Sequence, residues 1–161
     1  MSAAWAHFEQ DFLNAKTWPQ RKDGFPGDLI DALSPAERQR AIAILKEKLD
    51  GRDDWPVRAM AYLRVTESVP SLQDLLRGAR SPMMRAVIAA AIYELTGDEA
   101  MEREVMSVAS ASGREWGHRL DAIHCLGRFK MDSAQKLLNK LTHDPDYLVS
   151  YNAKLAGGRS D

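Results

Sequence analysis

WPVRAMAYL at residues 55–63 returns in altered form as PMMRAVIAAAIYEL at 82–95, as WGHRLDAIHCL at 116–126 and, worn further, as DPDYLVSYNAKL at 144–155. Arg58, Arg85 and Arg119 fall at matching points of the first three phrases, a period of about 30 residues, within the range of helical-repeat arrays. A unit of that length cannot bury its apolar face alone, so the period predicts helix pairs stacked on a shared core. The expected fold class is all-α: a short α-solenoid of antiparallel helix pairs with an aromatic N-terminal capping helix. No segment shows sustained period-two alternation, so no sheet is expected.

The flanking sequence supplies starts and stops for these helices. Upstream, Ser2 is placed to cap a helix in which Trp5, Phe8 and Phe12 form one stripe, and Trp18-Pro19 is expected to end it. RKDGFPG, residues 21–27, reads as a loop from its Gly and Pro content. Ser34-Pro35-Ala36-Glu37 has the composition of a capping box with proline where no donor is needed. Downstream, Pro70, Ser81-Pro82, Thr96-Gly97-Asp98, Asp132 with Gln135, and Asp146 are expected to open further helices, and Gly157-Gly158 stops the last. The organisation expected is one domain over 1–161: a cap helix and loop at 1–27, helix-pair repeats at 28–156 and a polar tail at 157–161.

Composition limits the function classes. The chain has 161 residues, 45% hydrophobic and 28% charged, with a formal charge of −1. That suits a soluble domain and lacks the strongly basic footprint of a general nucleic-acid binder. No stretch approaches the ~20 apolar residues of a spanning helix, and MSAAWAHFEQDFL lacks the basic and apolar regions of a signal peptide. The expectation is a cytoplasmic protein with no membrane partner, in which the single cysteine, Cys125, is a buried small hydrophobe.

Val57-Arg58-Ala59, Arg85-Ala86-Val87, Arg119 with Ala122, and Val69-Pro70-Ser71-Leu72 together resemble HEAT repeats, in particular their short bacterial variants. The resemblance runs from about residue 53 to 155, with departures in spacing and with Ser150 where a fourth arginine would stand. It implies a curved stack, first helices outside and second helices lining the concave side, that binds another protein. LIDALSPAERQRAIAILKEKL, at 29–49, and the following WPVRAMAYLRVTESVPSLQDLL are similar to HEAT-like partners of toxins. The resemblance therefore implies an immunity or antitoxin-like protein that occludes a cognate toxin domain. Relatives of other kinds imply two alternatives, a nucleic-acid-binding or base-repair protein and a tetrapyrrole-handling one.

Candidate partner-binding residues follow from these patterns. Arg58, Arg85 and Arg119 in register suit phosphates or an acidic partner, since guanidinium is a rigid multi-donor fork; equally, each suits an acidic residue of the neighbouring repeat. Trp55 and Trp116 precede helices at equivalent points, where an indole serves either as an exposed anchor or as a staple packed under the loop. His118, His124 and Cys125 are badly disposed for one metal ion, because adjacent helical residues point ~100° apart. No phosphate loop, nucleophile elbow or HExxH pattern is present, so neither catalytic residues nor a cofactor or metal is expected. Oligomeric state stays open between monomer and homodimer, with an exposed Trp5-Phe8-Phe12 stripe favouring the dimer.

Overall fold

The computed structural model describes residues 1–111 and 116–160, and of Trp116 and His118 the backbone only. Those residues are all-helical, with no strand among them. The helices are α1 (Ala3–Phe8), α2 (Trp18–Arg21), α3 (Gly27–Asp31), α4 (Pro35–Glu47), α5 (Asp54–Tyr62), α6 (Val69–Gly78), α7 (Pro82–Thr96), α8 (Met101–Ala109), α9 (Trp116–Leu126), α10 (Asp132–Leu141) and α11 (Tyr147–Leu155).

Their starts have local causes. Ser34 Oγ accepts the Glu37 amide while Glu37 accepts the Ser34 amide, satisfying two donors that α4 cannot use internally. Asp53 accepts from the Trp55 amide, Ser81 from Met84, and Asp146 from both Leu148 and Val149. α7 ends where Gly97 turns left-handed at φ 71°, a conformation glycine adopts without steric cost.

Three starts differ from the sequence expectation, the simplest being α8, where Ala100 and not Asp98 holds the cap position. The first helix widens into a π-helical turn, Glu9–Leu13, and closes at Asn14; Trp18-Pro19 then opens α2 instead of ending α1. Proline is favoured in a first turn for the same reason it breaks an interior, its missing donor, and Gln20 reaches back to the Lys16 and Thr17 amides. In α10, Met131 holds the cap position and Asp132 lies inside the first turn. Its carboxylate there favours the positive end of the helix dipole rather than capping it.

α7 organises the packing. It lies against α5, α6, α8 and α9, and Met84 and Ala86 to Ile92 are all buried. Ala89, Ala90 and Ala91 carry little bulk, so neighbouring helices come close. α11 packs on α9 and α10, and α4 on α5. At the N-terminal end, Trp5, Phe8 and Phe12 are buried instead of exposed. Phe8 stacks on Phe12 at 5.0 Å, Phe12 meets Trp55 at 5.1 Å, and Phe25 joins Trp55 to Tyr62. The aromatic stripe is therefore consumed within the chain, which removes it as a dimer contact.

Arg21 locks this aromatic end. Its guanidinium lies 4.2 Å above the Trp55 ring, grips Asp53 through two bonds of 2.7 and 2.9 Å, and donates to the Ala15 carbonyl at 2.8 Å. Burial pushes the Asp53 carboxyl up, but bonds from Arg21 and the Trp55 amide outweigh it and hold the group below its ordinary 3.8. A depressed folded value stabilises the protein above the unfolded pKa, and that contribution disappears as pH falls through the folded value. Urea midpoints between about pH 5 and about pH 2 are expected to fall more steeply for the native chain than for Asp53→Asn, which keeps a capping oxygen but not the charge.

Candidate binding face

α5 and α9 flank α7, and side chains from all three meet on one face. Arg58 of α5 donates to Asp54 one turn back at 2.7 Å and reaches Asp121 of α9 at 3.4 Å. Most of the Arg58 side chain is buried. Burial lowers its pKa, yet the surrounding acidic groups raise it overall, so the cation is firmly held. Arg128, just past α9, lies 3.6 Å from the Glu94 carboxylate, and Arg64 donates to the Glu94 carbonyl at 3.1 Å. Arg64 takes a left-handed φ of 57°, unusual for a residue with a Cβ, in the turn that ends α5.

Together Arg58, Arg64, Arg128, Glu94, Tyr62 and Phe25 line a cavity of about 370 Å³. Tyr62 is exposed at its rim and anchored through its hydroxyl, which donates to Asp31 at 2.7 Å. Elsewhere on α9, His124 Nε2 meets Asn152 Oδ1 at 2.7 Å, linking α9 to α11. The Asn152 amide nitrogen donates to the Leu148 carbonyl, which leaves its oxygen to accept from histidine. Beneath the face lies Cys125, whose thiol burial pushes up to about 11, against the pull of Arg58 and Arg128. At neutral pH it is a thiol, with no nucleophilic thiolate to offer.

The other two arginines of the series do a different job. Arg85 bonds Glu104 of α8 at 2.8 Å and reaches the Leu76 and Ala79 carbonyls, both at 3.4 Å, where α6 ends. Arg119 donates to the Ala109 carbonyl at the end of α8 at 3.1 Å and to Asp144 at 3.3 Å. Each cation sits on carbonyls at the C-terminal end of a helix, a place the helix dipole favours for positive charge. Of the three, Arg58 alone lines the cavity.

Trp55 is 4% exposed and spends its indole on Phe12, Phe25 and Arg21. The side chains of Trp116 and His118 lie outside the described residues, and the readings attached to them go no further. Among the described indoles Trp18 is the exposed one, at 78%. Among the described residues no group of three His, Cys, Asp or Glu side chains is placed to hold a metal ion, and no helix is long and apolar enough to cross a membrane.

The sequence reading did not find Tyr62, Arg64, Glu94 or Arg128. Tyr62 is four residues from Arg58, so their shared helix face was legible. The others come from three separate segments, and only their packing on α7 brings them to one cavity. No family model matches the chain, and neither a curated protein nor a solved structure matches it.

Proposed function

We propose that the chain is a non-enzymatic protein-binding module, a short HEAT-like α-solenoid of immunity or antitoxin type, which seats a cognate protein on the α5–α7–α9 face and occludes it. One observation carries this reading: a cavity lined by Arg58, Arg64, Arg128 and Glu94 with exposed Tyr62 at its rim. Tyrosine and arginine are the residue types that dominate binding energy at protein interfaces. Arg58 and Tyr62 are mounted on α5 and Glu94 on α7, with Arg64 and Arg128 in the turns that end α5 and α9, which keeps the ordering cost of association low. The order of packing, α5 on α7, α7 on α9 and α9 on α11, supports a stack of successive pairs.

Arg85 and Arg119 commit their guanidinium groups to internal carboxylates and carbonyls, which weakens the case for a phosphate grip by the three-arginine series. The two binding classes separate by salt. A tagged chain is expected to retain one stoichiometric protein from its native cells at both low and high ionic strength. Nucleic acid that is lost at high salt, with no protein retained, would instead show counterion-driven phosphate binding.

A further inference from the structure

The two ends of the helix array are finished differently. At the N-terminal end the aromatic side chains are folded inward, whereas α11 presents Tyr147, Leu148, Tyr151 and Leu155 outward, 72% exposed at Tyr147, 46% at Tyr151 and 61% at Leu155. Tyr147 and Tyr151 stack on each other at 5.8 Å, forming with Leu155 a stripe at four-residue steps on one helix face. The opposite side of α11, with buried Val149 and Ala153, faces α9 and α10. Contiguous apolar stripes of this kind are uncommon on surfaces that stay bare.

We infer that the outer face of α11 is a self-association surface, on which a second copy of this chain docks its own α11 antiparallel about a two-fold axis at Tyr151. The stripe is nearly symmetric about that residue, so Tyr147 of each copy meets Leu155 of the other, as an isologous contact requires. Charge selects the antiparallel direction. The helix begins at exposed Asp146 and carries exposed Lys154 in its last turn. Antiparallel pairing sets each acidic end beside the basic end of the other copy, whereas parallel pairing sets like charges together. A nine-residue helix gives less area than the ~800 Å² per partner of standard complexes, so association in the micromolar range is expected.

Sedimentation velocity on the purified chain over increasing concentration tests this. The mass is expected to rise from 18.0 kDa toward twice that value. Tyr151→Lys is expected to weaken association at least about tenfold while circular dichroism and melting temperature stay near native, because the side chain is half-exposed. A mass that stays at 18.0 kDa throughout, or a dimer untouched by Tyr151→Lys, overturns the inference. Cysteine cross-linking adds an arm, since the native Cys125 is buried. Tyr151→Cys is expected to give covalent dimer on mild oxidation far faster than Arg77→Cys, at an exposed position of α6; equal rates overturn the two-fold geometry. None of these readings depends on the occluded partner, so this inference and the proposed function fail separately.

Discussion

Trp55→Ala is expected to destabilise the protein by about 3–5 kcal/mol, the range for emptying a buried aromatic site. The indole is the hub of the N-terminal aromatic cluster, touching Phe12 and Phe25 and carrying Arg21 on its face. Its loss removes the surface that holds the Arg21–Asp53 pair and the contact through which the first helix reaches α5. For a chain of this length each kcal/mol shifts the melting temperature by roughly 2–4 °C, so thermal unfolding shows the effect clearly. The matched control is Trp18→Ala, which removes a ring that is 78% exposed and is expected to fall within about 0.5 kcal/mol of native. A small effect at Trp55 would mean its ring is not the core element described.

Gly127→Ala is expected to detach α11 from α9. A Cβ at residue 127 would lie 2.5 Å from the Ala156 carbonyl oxygen, and a backbone atom has no rotamer with which to retreat. The glycine is needed for proximity, since its φ is not in the left-handed region. Over-packing of this kind costs about 1–3 kcal/mol, and here the strain concentrates on one terminal helix. Amide exchange along 147–155 is expected to accelerate more than exchange in α7, which global unfolding alone would not produce. The same variant should lose self-association. Gly78→Ala provides the contrast, because a Cβ there meets nothing within 4 Å, and it is expected to be neutral or slightly stabilising.

Helix positions were legible in the sequence because their signals are local. Ser34 with Glu37, Ser81 with Pro82, and Gly97 act over three or four residues, and each starts or stops a helix where the chain says it should. The apolar residues of the repeated phrases fill the core, from Val57 and Met60 through Val87, Ile88 and Ile92 to Ile123 and Leu126. Trp18-Pro19 was misread because proline breaks helices and opens them by the same missing donor, and Gln20 decides which. Trp55 carried two readings, anchor or staple, and its burial under Phe12, Phe25 and Arg21 separates them.

The candidate face was hidden for a different reason. Arg58 stood out by register with Arg85 and Arg119, yet register along a repeat does not fix which acceptor each arginine finds. Arg85 and Arg119 settle on the ends of α6 and α8, whereas Arg58 finds Asp54 and Asp121 and stays on the face. Arg64 and Arg128 reach Glu94 from opposite sides of α7, a meeting between residues 30 and 34 positions apart that depends on how closely alanines let three helices approach.

The central claim is that the chain works by seating a protein on the α5–α7–α9 face. Its most direct test is the affinity of the co-purified partner for the native chain and for a Tyr62→Ala/Arg128→Glu double variant, measured by calorimetry. Both side chains are partly exposed, so the fold is expected to survive, while affinity falls by at least about a hundredfold, the combined cost of two interface hot spots. Unchanged affinity in a folded double variant would contradict the account and place the partner on another surface.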